Sequence, residues 1–247
     1  MLKHHKLISF CVGLGFLIIF QEFATPQPIF RFLIPAFLVY AGAVTAYNRW
    51  YLKQINQYNV WILIRPLLLL LSGFGIASLV PSLALRGVFL IISVGLITSV
   101  EILLGNLAEN ILLIETLFIA FGLFFTFAGY YYNAPSFETL YLMGVFATSA
   151  LLVRSFYESV PRPERIKVIS ALIIGLFTAE LYWALNFLQF PYTVLAVLLF
   201  NIFYFCLILN YYFFFHILNF KKIQFHLFLT SASTVLVLIT TPWNIIR

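Results

Sequence analysis

The residue with the clearest chemical potential is Glu180, which lies inside an apolar segment, residues 166–188. An ionised carboxylate near the middle of a bilayer costs about 2.5–3.5 kcal/mol. A glutamate at that depth is therefore either protonated or held by a partner. It could carry protons or bind a cation, or it could be a neutral hydrogen-bonding group that fixes the packing of two helices. Both alternatives remain open, and we favour the structural one.

Asn201 is the partner that the sequence offers to Glu180. Both residues lie on the same side of the centres of their segments, about 4–5 Å away at 1.5 Å per residue. A short turn containing "QFP" joins the two segments, so the helices should be antiparallel neighbours. Trp183, at position i+3, shares the helix face of Glu180. We therefore predict an intramembrane polar site of Glu180, Asn201 and Trp183, with a neutral Glu180 facing the protein interior.

A second set of ionisable residues lies near one membrane surface. Glu101 and Glu115 flank a connection that contains no Lys or Arg, and Arg65 lies at a comparable depth in another segment. Because charges inside membranes tend to pair, we predict an ion pair between Arg65 and Glu101 or Glu115. The alternative is a polar vestibule at that surface.

Several kinds of active site are excluded by missing residues. The chain has no aspartate, which excludes the Asp-rich motifs of membrane prenyl-transferring enzymes and the dyad of aspartyl intramembrane proteases. A HExxH helix and a rhomboid-like serine motif are also absent. His216 and His226, without nearby Cys or Asp, make a poor metal site. We predict no metal, no cofactor and no enzyme active site, although an enzyme is not ruled out.

The composition indicates the class of protein. Of 247 residues, 63% are hydrophobic and only 9% are charged, whereas soluble domains carry about 25% charged residues. We predict an all-α, polytopic transmembrane bundle forming one membrane domain over residues 1–247. It would comprise four helical hairpins and a closing helix. Nine spans are expected, with eight as the alternative: 7–23, 29–47, 60–80, 83–104, 111–131, 137–156, 166–188, 192–215 and 225–241.

Basic residues predict the orientation, because Lys and Arg accumulate in short cytoplasmic loops. With a cytoplasmic N-terminus, eleven of the 14 basic residues lie inside and three outside. The outside three are Arg31, Arg86 and Arg247. We therefore predict a bacterial inner-membrane protein with its C-terminus outside. The first apolar segment is expected to be a retained helix rather than a cleaved signal peptide.

The basic loops also suggest a partner. Membrane orientation explains the net charge of +6, so no nucleic acid is implied. Anionic lipid headgroups would suit the cytoplasmic cations: Arg49, Lys53, Arg162, Arg165, Lys167, Lys221 and Lys222.

Small residues at four-residue spacing predict close approach of helices. The clearest example is Ala171, Gly175 and Ala179. Two weaker pairs repeat the pattern: Gly42 with Ala46, and Gly73 with Ala77.

The segment "AELYWALNFLQFPY", followed by an aromatic-rich span, resembles a family of uncharacterised multi-pass membrane proteins from bacteria of the candidate phyla. Glu180 and Trp183 match the family's Glu-x-x-Trp element, Pro191 its short turn, and Trp243 its tryptophan near the C-terminus. The resemblance covers residues 166–247. It implies a membrane protein of undefined activity and assigns no catalytic residue.

The functional expectation is a structural membrane subunit that binds a partner protein or lipid. The alternative is a small proton- or cation-coupled transporter that uses Glu180. No pair of Gly- or Pro-broken helices occurs at matching positions of two halves, which counts against a transporter.

Overall fold

The computed structural model describes residues 2–21, 30–80, 82–102, 109–159, 162–188, 190–214 and 220–241. These residues form helices and contain no strand. Two short 3-10 turns, Pro135–Phe137 and Tyr157–Ser159, accompany nine α-helices. The α-helices in chain order are α1 Leu2–Gln21, α2 Phe30–Gln54, α3 Val60–Leu79, α4 Leu83–Ile102, α5 Glu109–Asn133, α6 Glu138–Phe156, α7 Glu164–Asn186, α8 Tyr192–Phe214 and α9 Phe220–Thr240.

Each of the nine predicted apolar segments coincides with one of these helices, so the all-helical prediction is confirmed. Six helices within the described ranges are long and apolar enough to cross a membrane: α3, α5, α6, α7, α8 and α9. Helices α1 and α4 contain shorter apolar segments, 5–19 and 84–100. The structure thus supports a membrane protein with six candidate spanning helices among the described residues.

The chain divides into two compact units, Met1–Ile119 and Ala120–Arg247, with the boundary inside α5. In the first unit, α4 packs against both α1 and α3. Gly73 of α3 allows this arrangement, because a Cβ atom there would lie 2.7 Å from Cζ of the buried Phe16 on α1. The predicted small-residue pair of Gly73 and Ala77 is therefore a site of close packing, with an aromatic ring from α1 over Gly73.

In the second unit, the most extensive helix contact described is between α6 and α7. Ala171, Gly175 and Ala179 are all buried, and Gly175 lies directly against α6. A Cβ atom at Gly175 would lie 2.9 Å from Cβ of Ala150 and 3.0 Å from the carbonyl oxygen of Phe146. The predicted close approach at this small-residue stripe is confirmed.

Aromatic rings join α5 to α8. The rings of Phe124 and Phe203 meet edge to face at 5.4 Å between centroids, and Phe121 and Phe200 do so at 5.7 Å. Phe124 and Phe203 are completely buried. Edge-to-face pairs add about 0.5–1.5 kcal/mol beyond the burial of their area, so large rings here take the place of the small residues used between α6 and α7.

The turn between α2 and α3 is built from local hydrogen bonds. Asn56 adopts a left-handed conformation with φ 54°, which asparagine tolerates better than most residues. The amide of Gln57 donates to the Leu52 carbonyl, and the amide of Asn56 donates to the Lys53 carbonyl. This pattern is the Schellman motif that ends many helices. The side chain of Asn59 then accepts a hydrogen bond from the Trp61 amide at 3.0 Å and begins α3.

We expect Gly175→Ala to destabilise the protein by about 1–3 kcal/mol, because the added methyl group would meet the α6 backbone. The matched control is Gly95→Ala. A Cβ atom at Gly95 meets nothing within 4 Å, so alanine there should be neutral or stabilising by up to about 1 kcal/mol. Unfolding in SDS titrations would measure both variants. Equal stability of the two would contradict the assignment of Gly175 as a packing contact.

Candidate functional site

Glu180 is exposed, so the prediction that it faces the interior is wrong. The buried stripe of α7 is formed by seven residues: Lys167, Ala171, Ile174, Gly175, Thr178, Ala179 and Tyr182. Successive residues of an α-helix lie about 100° apart around its axis, which places Glu180 opposite the centre of that stripe. Trp183 is exposed as well. Position along the sequence fixes the depth of Glu180, whereas the contact of α7 with α6 determines its rotation about the helix axis.

Asn201 is buried, but its partners lie on α9 and not on α7. Its side-chain nitrogen donates to the hydroxyl oxygens of Ser233 and Thr234, both at 3.1 Å. The helices α7 and α8 are neighbours, as predicted, yet the proposed hydrogen bond between Glu180 and Asn201 is not formed. The adjacent Ser233 and Thr234 on α9 were the sequence signal for this contact. The prediction missed them because it paired Asn201 with a residue of matching depth on α7.

The Arg65 and Glu115 side chains are both buried, and their charges interact electrostatically. Neither carboxylate oxygen of Glu115 has a hydrogen-bond partner within the part of the chain that the structure describes. A direct hydrogen-bonded pair between these two residues is thus not formed. The side chain of Glu101, the other predicted partner, lies outside the described residues. The structure therefore brings Arg65 and Glu115 into electrostatic range of each other but not into the direct contact of the predicted ion pair.

A stronger ion-pair cluster, which the sequence prediction missed, surrounds Arg154 at the end of α6. Its guanidinium donates to Glu158 at 2.7 Å and to Glu164, from Nε, at 2.8 Å. The side chain of Arg154 is only 4% exposed, whereas those of Glu158 and Glu164 are 25% and 60% exposed. The cation is therefore the buried member, and the connection between α6 and α7 is anchored on it.

Two of the predicted lipid-binding cations, both in this unit, are directed to backbone carbonyls. Arg162 donates from Nη2 to the Phe214 carbonyl at 2.7 Å, at the end of α8. The ammonium of Lys167 donates to the Glu158 carbonyl at 3.2 Å, and Lys167 is buried. Cations at a helix C-terminus interact favourably with the helix dipole. Arg165 and Lys221 are exposed, while the Lys222 side chain lies outside the described residues.

A groove of about 690 Å³ lies between α2 and α3 in the first unit. Its volume is within the range of about 300–1,000 Å³ typical of ligand pockets. The predicted close approach at Gly42 and Ala46 is not observed, because both residues line this groove and a Cβ atom at Gly42 would meet nothing within 4 Å. The full lining is Leu38, Ala41, Gly42, Thr45, Ala46, Arg49, Trp50, Lys53, Tyr58, Leu63 and Leu67.

The groove is polar at one end and apolar along its length. Arg49 and Lys53 are exposed at the basic end, where Tyr58 follows the turn after α2. The guanidinium carbon of Arg49 lies 5.9 Å from the centroid of the Tyr58 ring, and the Lys53 ammonium lies 5.6 Å from it. The sequence prediction assigned these cations to a loop, but α2 continues to Gln54. Arg49 and Lys53 therefore lie one helical turn apart on α2.

His226 connects α9 to α8. Its Nδ1 atom lies 2.7 Å from the hydroxyl of Tyr204, and its Nε2 atom lies 2.9 Å from the hydroxyl of Tyr212. The two tyrosines are eight residues apart on α8, and the imidazole of His226 lies between their hydroxyl groups. His216 lies outside the described residues. His226 therefore forms a hydrogen-bonded link between α8 and α9.

A smaller cavity of about 220 Å³ occurs in the second unit. Three tyrosines and an amide contribute to its wall: Tyr131, Tyr132, Tyr192 and Asn186. Its volume is below that of typical ligand pockets, so the groove between α2 and α3 is the better candidate for a binding site.

Comparison of the chain with family models, with curated proteins and with solved structures found no match in any of the three. The resemblance of residues 166–247 to a family of multi-pass membrane proteins thus stays a prediction. Of the residues that carry it, Trp243 lies outside the described residues.

For the Arg154 cluster, we expect the double variant Glu158→Gln, Glu164→Gln to lose about 3 kcal/mol of stability, since the buried cation would lack these two carboxylates. Arg154→Met should cost less, because both glutamates reach water when the guanidinium is gone. SDS titrations of the two variants would provide the comparison. A greater loss for Arg154→Met would contradict the view that the cation is the buried member.

Proposed function

We propose that this protein is a lipid-binding membrane subunit that holds an acidic phospholipid in the groove between α2 and α3. The supporting observation is the arrangement of two exposed cations, Arg49 and Lys53, at one end of an otherwise mainly apolar groove. A phospholipid has the complementary arrangement, with a phosphate at one end and hydrocarbon along the rest.

The two cations favour an anion between them. Like charges at positions i and i+4 of a helix repel each other, and a phosphate group that contacts both would remove that repulsion. The ring of Tyr58 adds cation–π contacts to the same two side chains. Each basic residue near an anionic membrane surface contributes about 1 kcal/mol to the attraction, so the pair supplies a preference for acidic over zwitterionic lipid.

The apolar part of the groove fits the length of a lipid chain. From Leu38 to Lys53 the groove follows α2 for about 22 Å at 1.5 Å per residue. One leaflet contributes about 15 Å of hydrocarbon. Leu38 lies 11 residues, about 16 Å, before Arg49. A chain along Leu38, Leu63 and Leu67 with its headgroup at the cations would therefore reach about the bilayer centre.

The proposed orientation has the basic end in the cytoplasm, with nine spans in a bacterial inner membrane. Its support is the eleven-to-three distribution of basic residues. The bound lipid would then belong to the cytoplasmic leaflet. The alternative function, a transporter that uses Glu180, has less support, because Glu180 lies on an exposed helix face and not in a cavity.

Lipid selectivity would test the groove. We expect purified protein to retain phosphatidylglycerol over phosphatidylcholine in native mass spectrometry. The double variant Arg49→Gln, Lys53→Gln should reduce this preference roughly thirtyfold, which corresponds to two cations at about 1 kcal/mol each. The matched control is Lys6→Gln, Arg165→Gln, which removes the same charge from two other exposed positions. Equal losses in both double variants would indicate a diffuse surface attraction and contradict the proposal.

A second variant tests whether lipid binds along the apolar half of the groove. Gly42→Leu should occupy the groove and lower phosphatidylglycerol retention without changing any charge, and open space at Gly42 keeps the fold intact. Gly95→Leu is the control, since it adds the same side chain to an exposed position on α4. Retention of lipid by Gly42→Leu at the level of Gly95→Leu would contradict binding along the groove.

The proposed orientation can be tested by cysteine labelling in a background with Cys11→Ser and Cys206→Ser. A cysteine at the exposed Gln57 should react only when the cytoplasmic face is accessible. One at the exposed Ser82 should react from outside in intact cells. Labelling of both positions from one side would contradict a membrane crossing by α3.

A further inference from the structure

The basic end of the groove between α2 and α3 presents mainly hydrogen-bond donors. Four side chains of the lining lie there, and all four are exposed: Arg49, Trp50, Lys53 and Tyr58. A guanidinium has five N–H donors and an ammonium three, and neither accepts a hydrogen bond. The indole N–H also only donates, whereas the phenol hydroxyl can donate or accept. A headgroup with many acceptors and few donors therefore suits this end of the groove.

Acceptors are scarce at the same end. None of the eleven lining residues is Asp, Glu or His. The backbone carbonyls of Tyr51, Leu52 and Lys53, at the end of α2, each accept an amide of the following turn. A headgroup that carries an ammonium, as in phosphatidylethanolamine or phosphatidylserine, would bring donors to a place where few acceptors are left.

We propose that the groove selects a phosphomonoester headgroup, as in phosphatidic acid, among the acidic phospholipids. The inference rests on the lipid-binding function proposed for this groove and names the class of lipid. A phosphomonoester has three terminal oxygens, all of them acceptors, and carries a charge of about −1.5 to −2 at pH 7. A phosphodiester such as phosphatidylglycerol has two terminal oxygens and a single charge, and its glycerol adds hydroxyl donors.

The spacing of the two cations suits three phosphate oxygens. Arg49 and Lys53 lie at positions i and i+4 of α2, where side chains are neighbours with Cβ atoms about 5–6 Å apart. Their charged groups lie 5.9 and 5.6 Å from the centroid of the same ring, that of Tyr58. A guanidinium forms paired hydrogen bonds with two phosphate oxygens, which leaves the third oxygen for the Lys53 ammonium. With a phosphodiester, the two cations would have to share two oxygens.

The same chemistry predicts a pH dependence that comes from the lipid. The second ionisation of a phosphomonoester has a pKa of about 6, whereas a phosphodiester keeps one charge, so the preference should be larger at pH 8 than at pH 5. The groups that face the phosphate from α2 and the following turn are Arg49, Lys53 and Tyr58, while α3 contributes only leucines. His5 of α1 packs on α2 outside this lining, so its titration would affect both lipids alike.

Competition between lipids of equal chain length, measured by native mass spectrometry, would test the inference. At pH 8 the protein should retain phosphatidic acid over phosphatidylglycerol about fivefold, the factor for one further charge facing a basic residue. The ratio should fall below about twofold at pH 5. Phosphatidylserine should be retained no better than phosphatidylglycerol. Lys53→Gln should lower the ratio at pH 8 to below about twofold, whereas Lys6→Gln, which removes a charge from another exposed position, should leave it unchanged.

The outcomes separate the choice of headgroup from lipid binding itself. Equal retention of phosphatidic acid and phosphatidylglycerol, with both preferred over phosphatidylcholine, would overturn this inference and leave the lipid-binding function standing. No preference for either acidic lipid over phosphatidylcholine would contradict that function as well. A ratio that is the same at both pH values, or that Lys6→Gln lowers as much as Lys53→Gln, would also overturn the inference.

A soluble competitor distinguishes a lipid from a free phosphomonoester. Excess glycerol 3-phosphate should not displace phosphatidic acid, because it has no chain to lie along Leu38, Leu63 and Leu67. Displacement would identify a soluble phosphomonoester as the ligand and overturn the assignment of a lipid.

Discussion

Close packing of Gly175 against the backbone of α6 determines the direction in which every other residue of α7 points. With no side chain at position 175, the two helices approach until Cβ of Ala150 and the Phe146 carbonyl occupy that space. The stripe that includes Ala171 and Ala179 is then committed to α6. The remaining face of α7, with its one carboxyl group, is turned outward as a consequence of this packing and not of its own composition.

The positions of the helices could be predicted from sequence because each is a long apolar run ended by polar residues or proline. The nine predicted segments differ from the observed helices by a few residues at their ends. The one substantial difference is α2, where the helix extends to Gln54 through residues that were assigned to a loop. Its C-terminal motif at Asn56 uses an ordinary asparagine, and nothing in hydropathy distinguishes that residue from others in a polar connection.

Side-chain partners were much harder to predict, and the reason is geometrical. Depth along a helix follows from sequence position, but rotation about the helix axis depends on which neighbour packs more tightly. Glu180 and Asn201 were matched by depth, and each then proved to point elsewhere. Arg154 and Arg162 show the same limitation for charge. The sequence counts both only as basic residues of the cytoplasmic side, whereas the structure directs them to carboxylates and to a helix end.

The local closure of the α2–α3 turn also bears on how the chain enters a membrane during synthesis. Helix ends leave backbone groups unsatisfied, and here the amides of Asn56 and Gln57 and the side chain of Asn59 form hydrogen bonds within the turn itself. The turn thus needs no group from a later helix, so α2 and α3 can form a hairpin before α4 has been translated. The groove between these two helices would then be open to surrounding lipid before any later helix is in place.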